Sequence, residues 1–376
     1  MRPFGAFVHH QGRGHAERIA AIANALPAHR SMTVFCARDD IFPAMPDRVR
    51  IQRIPSLFEV PDIPARLLDE QRTPPTMHCA PVGWPSIREA VATMTTWFRE
   101  CDPALFLVDV SAEMAQLARL ASVPVVKVLQ HGDRDDPGHM AAYEAAVGLL
   151  APYHASLEQP GRPHWMSEKT FHAAGIGVSH EIPTREAARD ALGLDASREI
   201  VLVVSGGGGA GAPVAPLTVG ARARPEALWV TIGPVAREWH ETDPGNLQHE
   251  GWVENADMWI AAADIVVASC GNTTVHMIAA AGRPYLVVPE WRYFAEQHRK
   301  AEALSRVGAA HLSQIWPASP AAWTAALEGA RRCDIDIQRG LVGASGAADV
   351  AAWLEGLARR LWEPLSAAGE EREAAE

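Results

Sequence analysis

The sequence predicts an α/β protein in which two doubly wound, Rossmann-like domains face each other across a cleft. Short apolar runs alternate with alanine-rich helical patterns along most of the chain. These runs are continuously apolar, which is typical of parallel strands that carry helices on both faces. The pattern occurs twice, and each half begins with a strand, a glycine-rich turn and a helix. Ligands of such domains bind at the carboxyl ends of the strands, so functional residues are expected there.

The first half contains five predicted strands with helical patterns between them. The strands are FGAFVHH (4–10), MTVFCA (32–37), VRIQRI (49–54), ALFLVDV (104–110) and PVVKVLQ (124–130). Helical patterns occupy 15–26 and 111–121. The segment 56–88 is long, proline-rich and irregular, which is typical of a surface loop that binds a substrate.

The second half repeats this organisation with four predicted strands. They are EIVLVVS (199–205), ALWVTI (227–232), ADIVVAS (263–269) and PYLVVP (284–289), with helices near 184–192, 255–262, 273–281 and 295–307. Few periodic residues and several glycines and prolines fill 158–183, which indicates a domain boundary. We therefore expect an N-terminal domain over 1–165, a C-terminal domain over 178–350, and a last helix with a frayed tail over 351–376. The pattern leaves open which domain that helix packs against.

Composition excludes several classes of protein. The net charge of -11 argues against a nucleic-acid-binding surface, which needs a basic field. The five cysteines lie singly and form no C-x-x-C pair, so a zinc site is not expected and reduced, cytoplasmic thiols are. We find no secretory signal and no apolar run of the ~20 residues that a membrane-spanning helix needs. Peripheral membrane contact and the oligomeric state stay open.

The turn QGRGH after the first strand is the first candidate site. Gly12 and Gly14 remove Cβ atoms where the chain turns, so a substrate can approach the backbone. His15 begins the following helix, whose N-terminus disfavours a protonated imidazole and keeps the ring available as a base. The alternative is an ordinary strand-to-helix turn with His15 as a polar cap.

Asp109 ends the apolar strand LFLVDV and is the candidate partner of His15. A carboxylate on a neighbouring strand end can accept a hydrogen bond from the second imidazole nitrogen, which fixes the tautomer and stabilises the imidazolium. The alternative is that Asp109 caps the helix that follows. His9 and His10 point to opposite sides of their strand, and neither is assigned to catalysis.

Two small-residue turns in the second half predict anion sites. The first is the glycine run after the strand at 199–205, whose amide groups can bind phosphate oxygens, unless the run is only a flexible loop: Gly206, Gly207, Gly208 and Gly209. The second is a polar turn that leads into a helix: Ser269, Gly271, Asn272, Thr273 and Thr274. Further on, Glu296 and Gln297 open another helix with the adjacent carboxylate and amide that suit the vicinal hydroxyls of a sugar.

The stretch 268–310 resembles the donor-binding signature of GT-B glycosyltransferases. The similar members are the nucleotide-sugar-dependent macrolide and plant-type enzymes and the N-acetylglucosaminyltransferase of peptidoglycan synthesis. Their pattern joins a glycine turn, a helix ending in A-G-x-P, a strand ending in V-P, an acidic residue with glutamine, N/K-A-x-x-L and a final glycine. The matching residues are Gly271, Ala281 to Pro284, Val288 and Pro289, Glu296 and Gln297, Lys300 to Leu304, and Gly308.

This resemblance implies an inverting transfer of a sugar from a nucleotide diphosphate sugar, most simply a UDP-sugar, to the hydroxyl of a small-molecule or lipid-linked acceptor. It places His15 at the position of the catalytic histidine and Asp109 at the position of its supporting aspartate. It also implies that the backbone near Trp252 and Val253 contacts the nucleotide base. It implies no metal and no further cofactor.

Two positions depart from the family pattern. Ser269 stands where many members have a histidine for the donor phosphate, and Met277 stands where they have the glutamate for the ribose hydroxyls. Methionine cannot accept that hydrogen bond, so the ribose would be held another way, for example by His276.

The loop QHGDRDDPGH (130–139) has three interpretations. We expect a loop on the acceptor side, with His131 and Asp133 near the substrate. A solvated charge cluster is the second interpretation. The third is a cation site built from the D-x-D and its neighbours: Asp133, Asp135, Asp136 and His139.

Two other functions stay open at this point. One is a relative of the same fold that hydrolyses or epimerises a nucleotide sugar. The other is a protein that only binds a nucleotide or sugar, which would release no nucleotide diphosphate.

Overall fold

The N-terminal domain is built on one parallel sheet of seven strands. The structure is a computed structural model that describes residues 1–62, 65–179, 181–237, 242–343 and 346–364, so most of the predicted tail lies outside the described residues. The strand order is β3-β2-β1-β4-β5-β6-β7. The strands are β1 (Phe4–Phe7), β2 (Met32–Cys36), β3 (Val49–Arg53), β4 (Leu105–Val108), β5 (Val125–Val128), β6 (Gly148–Ala151) and β7 (Thr170–His172).

Alternate residues of the central strands enter different core layers, as the two-residue period of a strand requires. Phe4 and Ala6 of β1 pack in the layer on one face of the sheet. Phe7 packs on the other face, together with Phe106 and Val108 of the neighbouring strand β4. Both faces are therefore buried, which explains why these strands are continuously apolar in sequence.

Six helices and a 3-10 turn (Ala155–Leu157) connect these strands. The helices are α1 (Arg13–Ala25), α2 (Arg66–Asp69), α3 (Pro85–Cys101), α4 (Ala112–Leu120), α5 (Pro137–Ala145) and α6 (His164–Glu168). Helix α3 was not predicted, although proline at its first position and buried Ala90, Met94 and Phe98 at a four-residue spacing are helix signals. Its first residues fall within the irregular, proline-rich segment 56–88.

The C-terminal domain has a six-stranded parallel sheet in the order β12-β10-β8-β13-β14-β15, and β9 pairs with β11 beside it. The strands are β8 (Ile200–Val204), β9 (Ala212–Pro213), β10 (Leu228–Ile232), β11 (Val235–Ala236), β12 (Leu247–Gly251), β13 (Ile265–Ala268), β14 (Tyr285–Val287) and β15 (His311–Leu312). The helices are α7 (Arg185–Leu192), α8 (Val214–Ala223), α9 (Ala256–Ala262), α10 (Asn272–Ala281), α11 (Glu296–Arg306), α12 (Pro320–Arg331) and α13 (Ile335–Gly340), with a 3-10 turn at Tyr293–Ala295 before α11.

The N-terminal sheet continues through β7, which pairs with β6 and extends this domain beyond residue 165. The strand is short, and none of its three residues is fully buried, so no apolar run marks it in the sequence. The connection to α7 follows, with glycines at positive φ at Gly175 and Gly177.

The last helix, α14 (Gly346–Trp362), packs against the N-terminal domain, although it follows the C-terminal domain in sequence. Trp353 stacks on Phe171 with 4.9 Å between ring centroids. Arg30 binds Glu355 through two nitrogens, at 2.6 and 2.8 Å. This helix therefore ties the end of the chain to its beginning.

The turns that follow β1 and β13 meet between the two domains. A Cβ atom placed on Gly14 would lie 3.4 Å from Thr273 Oγ1. The N-termini of α1 and α10 therefore approach each other, one from each domain, and form the two sides of the cleft. No helix in the described residues is long and apolar enough to cross a membrane.

We predict that Gly5→Ala destabilises the N-terminal domain. An added Cβ on β1 would lie 2.6 Å from Phe106 Cδ2 and 2.7 Å from the ring of Trp97 in α3. Overpacking of this kind costs about 1–3 kcal/mol, and denaturant unfolding would measure it. The matched control is Gly245→Ala, where an added Cβ meets no atom within 4 Å. Equal stability of the two variants would contradict the packing of α3 on β1.

Candidate active site

The structure brings His15 and Asp109 into direct contact. His15 lies in the first turn of α1 after β1, and Asp109 follows β4, the neighbouring strand. His15 Nδ1 is 2.6 Å from Asp109 Oδ2. The Asp109 side chain is fully buried, whereas 23% of the His15 side chain is exposed. The pair therefore has a buried anionic end and an imidazole that reaches the cleft.

Arg18 is a third member of this cluster that the sequence analysis missed. Its Nη2 donates to Asp109 Oδ2 at 2.7 Å and lies 3.0 Å from His15 Nδ1. Arg18 is 6% exposed, on a helix face that otherwise buries apolar residues such as Ile19 and Ile22. The available signal was an arginine three positions after His15, a spacing that places both side chains on one face of a helix.

The charge of Asp109 fixes the tautomer of His15. Burial raises the pKa of Asp109, but the Arg18 guanidinium and the His15 ring oppose it and hold that pKa well below its usual range. An ionised carboxylate only accepts hydrogen bonds, so His15 Nδ1 carries a proton and donates it to Asp109. Arg18 then shares the same carboxylate oxygen, and its approach to Nδ1 is a contact between two donors. His15 Nε2 is left as the nitrogen that can accept a proton.

The turn after Asp109 is strained, and a buried lysine side chain donates to its backbone. Val110 has φ of 67°, a left-handed conformation that is rare for a β-branched residue. Lys127, which is buried, donates to the Val110 carbonyl at 2.9 Å and lies 3.4 Å from the Val128 carbonyl. Ser111, and not Asp109, caps α4 by accepting from Met114 N. The helix-cap interpretation of Asp109 is therefore wrong, because the positive φ of Val110 moves the cap two residues on.

An aromatic group lies beside His15. The His9 ring is 5.8 Å from the His15 ring and 4.8 Å from Phe58, and His10 stacks on His9 at 5.4 Å. Burial, together with the neighbouring His15, lowers the pKa of His9 to about 4, so His9 is neutral at ordinary pH. The expectation that His9 and His10 point to opposite sides of a strand is wrong, because β1 ends at Phe7 and both rings lie near Phe58 of the irregular segment.

On the C-terminal side, the polar turn opens α10 as expected. Gly271 is the N-cap and makes no side-chain cap, so the first amides of α10 have no capping side chain. Thr273 lies opposite Gly14 across the cleft. The Ser269 carbonyl accepts from the Tyr285 hydroxyl at 2.8 Å, which anchors the turn to β14.

The glycine run lies next to Trp252 and contacts the loop that follows β14, which contains Arg292. A Cβ on Gly207 would lie 3.5 Å from the Trp252 ring, which is 54% exposed, and Arg13 of α1 reaches over that ring at 5.5 Å. Val253 beside it is partly buried against the core. Arg292 donates to the Gly208 carbonyl at 2.9 Å, so this loop is braced.

Glu296 and Gln297 are engaged by protein groups. Arg134 of the N-terminal domain donates to Glu296 Oε2 at 2.7 Å. Gln297 is 7% exposed, and its Oε1 accepts from Glu290 N at 2.8 Å. These contacts brace the cleft. The Glu296 side chain is 34% exposed and has a second carboxylate oxygen, so it can still accept from a sugar hydroxyl, whereas Gln297 is buried.

The loop at 130–139 joins the domains, and His131 is not at the cleft surface. His131 is 2% exposed, packs against Tyr153 with 4.1 Å between ring centroids, and its Nε2 lies 2.8 Å from the Leu157 carbonyl. Burial lowers its pKa to about 3. This does not fit an acceptor-contacting role. Asp133 forms a two-oxygen ion pair with Arg299 of α11, at 2.7 and 3.2 Å.

Phe294 is the centre of this domain contact. It inserts between His78, His139 and Arg134 of the N-terminal domain, with ring centroids at 4.9 and 4.8 Å from the two histidines. Its carbonyl accepts from Asp133 N at 2.7 Å. Phe294 and the next residue both have positive φ, which costs roughly 1–2 kcal/mol each. The contact with the N-terminal domain therefore compensates local strain.

Within the described residues, one group of three side chains has metal-ligand chemistry: His78, Asp136 and His139. Asp136 also caps α5 and lies 2.5 Å from His139 Nδ1, while Arg134 Nη1 lies 3.3 Å from His139 Nε2. A guanidinium this close opposes a cation. The D-x-D pair does not form a site, because Asp133 turns to Arg299.

Neither Met277, which replaces the family's glutamate, nor His276, the candidate alternative contact for the ribose, is fully exposed. Met277 is partly buried against the core. His276 is 2% exposed, and its Nδ1 accepts from Gly175 N in the interdomain connection at 3.3 Å. His276 is therefore not available to a ribose.

Sequence comparison finds relatives over part of the chain. No protein-family model matches. The chain is 32% identical over 176 residues, 44% of its length, to the UDP-N-acetylglucosamine–N-acetylmuramyl-(pentapeptide) pyrophosphoryl-undecaprenol N-acetylglucosamine transferase of Clavibacter michiganensis subsp. michiganensis. It is 35% identical over 133 residues, 33% of its length, to the transferase of that name from Paenarthrobacter aurescens. The chain spans 46% and 35% of these two relatives.

Structure comparison covers almost the whole chain. The MurG protein of Acinetobacter baumannii matches 94% of this chain and 99% of its own, with a TM-score of 0.62 and 14% identity. The calicheamicin glycosyltransferase CalG4 matches 96% and 100%, with a TM-score of 0.64 and 14% identity. Arabidopsis thaliana UGT89C1 matches 96% and 100%, with a TM-score of 0.66 and 12% identity. The chain therefore has the two-domain GT-B fold, and its sequence relatives and structural neighbours are glycosyltransferases.

Proposed function

We propose that the protein is an inverting glycosyltransferase that moves a sugar from a nucleotide diphosphate sugar to an acceptor hydroxyl. The observation that carries the proposal is the contact between His15 and the buried Asp109. This contact lies at the N-terminus of α1, which faces the first turn of α10 in the other domain. One side of the cleft offers a base, and the other offers amides for an anionic leaving group.

His15 activates the acceptor. Its Nε2 takes the hydroxyl proton as the oxygen attacks the anomeric carbon, and the glycosidic bond to the diphosphate breaks. Asp109 accepts from Nδ1 and stabilises the imidazolium that forms. Attack from the side opposite the leaving group inverts the anomeric centre.

The diphosphate leaves toward α10. The uncapped amides of the first turn and the hydroxyls of Thr273 and Thr274 donate hydrogen bonds where negative charge develops. The positive end of the helix dipole favours the same charge, so these residues can act without a metal ion. Glycines 206–208 and the backbone at Val253 complete the donor side. Trp252 lies beside the expected position of the nucleotide base.

The relatives support the choice of substrates. Their names specify a UDP-sugar donor and a lipid-linked acceptor. We propose a UDP-sugar as donor, and a small-molecule or lipid-linked hydroxyl as acceptor that contacts Phe58, His9 and His10. The free cysteines fit a cytoplasmic enzyme, and a lipid-linked acceptor would bring peripheral membrane contact.

The direct test measures nucleotide diphosphate release from a panel of nucleotide sugars, with and without acceptor alcohols. The proposed metal-independent transfer predicts nucleotide diphosphate release that depends on an acceptor and continues in the presence of a chelator. Release without an acceptor would instead indicate a hydrolase of the same fold. Binding that stabilises the protein, by roughly 2.7 kcal/mol at 100 times the dissociation constant, without release would indicate a binding protein.

We predict that His15→Gln lowers kcat by about 10²–10⁴-fold, because the acceptor hydroxyl loses its base. The affinity for nucleotide diphosphate should stay within a few fold, since that group binds on the other domain. His164→Gln, at a histidine side chain that is 86% exposed, is the matched control and should keep full activity. Turnover of His15→Gln equal to that of the control would contradict the role of the base.

We predict that Arg18→Met destabilises the N-terminal domain by about 3 kcal/mol, because the fully buried Asp109 carboxylate loses the guanidinium that contacts its Oδ2. Denaturant unfolding would measure the loss. Arg18→Lys keeps a positive charge at this position and should lose less stability. Stability of Arg18→Met equal to that of the wild-type protein would contradict this arrangement.

A further inference from the structure

We propose that Lys300 is a positioning residue of the donor site, which orients Asn272 and supplies the positive charge that binds the diphosphate group. The identity of the anion as part of a nucleotide sugar rests on the proposed function. The anion site itself rests on the burial and contacts of these two residues.

Lys300 is a buried cation without a carboxylate partner. It is 4% exposed, and its Nζ contacts Asn272 Oδ1. No carboxylate of the described residues lies within ion-pair distance of that Nζ. A buried charge is costly unless it is paired, and such residues are retained where a ligand supplies the counter-charge.

The other buried cations around the cleft have protein partners. Arg18 has Asp109, and Arg134 has Glu296. Lys127 has no carboxylate partner, but its Nζ donates to two backbone carbonyls. Lys300 makes no such contact with a backbone carbonyl within the described part of the chain. There its ammonium contacts the neutral Asn272 side chain and no anion, so an anionic ligand beside Lys300 would supply the missing counter-charge.

Burial disfavours the charge of Lys300 but does not remove it at neutral pH. Burial lowers the pKa of Lys300 to about 8; Cys270 and Glu296 oppose this decrease, and Arg18 adds to it. Burial lowers the pKa values of His131 and His276, and the positive charge of Lys300 lowers them as well. Both imidazoles are neutral at this pH, so they add no counter-charge to the ammonium.

The fold directs Lys300 to the N-terminus of α10. Lys300 lies in the second turn of α11, and the Cys270 thiol donates to the Gln297 carbonyl at 3.0 Å, which joins the start of α11 to the turn before α10. Asn272 is the first residue of α10. An ammonium only donates, so it holds the Asn272 carbonyl oxygen and turns the amide NH₂ of that side chain away from itself.

The groups that converge here are hydrogen-bond donors. Helix α10 has ten residues, and its N-cap Gly271 makes no side-chain cap. The amides of its first turn, the oriented Asn272 NH₂ and the hydroxyls of Thr273 and Thr274 all suit an anion. A compact ammonium behind them adds a full charge to the partial charge of the helix end. A phosphate or diphosphate has the charge and the acceptor oxygens that this set requires.

The test compares Lys300→Met with the wild-type protein by calorimetric titration of inorganic pyrophosphate, UDP and uridine. We expect pyrophosphate and UDP to bind about 10-fold or more weakly to the variant, while uridine binds with unchanged affinity. The melting temperature of the ligand-free variant should stay or rise, because a methionine of similar length replaces an unpaired buried charge. A purely structural lysine would lower the melting temperature and weaken all ligands alike.

Lys169→Met is the matched control. Lys169 donates to the carbonyls of Tyr143 and Ala146 in the N-terminal domain and should not affect anion binding. Asn272→Ala is the second variant, and it should also weaken pyrophosphate without weakening uridine. Unchanged pyrophosphate affinity in both Lys300→Met and Asn272→Ala overturns the inference.

The outcomes separate this inference from the proposed function. If pyrophosphate binding depends on Lys300 but no nucleotide sugar is turned over, the anion site stands and the transferase proposal fails. If nucleotide sugars are turned over and Lys300→Met binds and reacts as the wild-type protein does, the inference alone fails.

Discussion

The buried carboxylate of Asp109 is the constraint on which the rest of the site depends. A charge with no access to water must be compensated in place, and here one oxygen serves both His15 and Arg18. This sharing decides the His15 tautomer and leaves Nε2 free toward the cleft. The strained turn at Val110, held by Lys127, keeps the carboxylate at this position.

The parallel sheets explain why these groups meet. Asp109 and the turn before His15 follow adjacent strands, so their carboxyl ends must lie together. The C-terminal domain applies the same rule at β8 and β13, where the glycine run and α10 begin. The contact between the domains then brings the two sets of turns face to face. Phe294, Arg134 with Glu296, and Asp133 with Arg299 hold that contact, and none of these takes part in the proposed chemistry.

The sequence predicted what is local and regular. Continuous apolar runs identified the central strands, and the strand ends identified Asp109, His15 and the start of α10. Prediction failed where a partner comes from a distant part of the chain. Nothing near His131 in sequence shows that Tyr153 and Leu157 cover it, and nothing near Glu296 shows that Arg134 binds it. The short polar strand β7 and the return of α14 to the first domain depend equally on distant contacts.

The most direct measurement of the central claim is a crystal structure with bound nucleotide diphosphate. The account predicts that the terminal phosphate accepts from the first amides of α10, with His15 Nε2 facing it across an open space large enough for a sugar. A diphosphate bound away from α10, or a His15 ring turned from the cleft so that Nδ1 leaves Asp109, would contradict it.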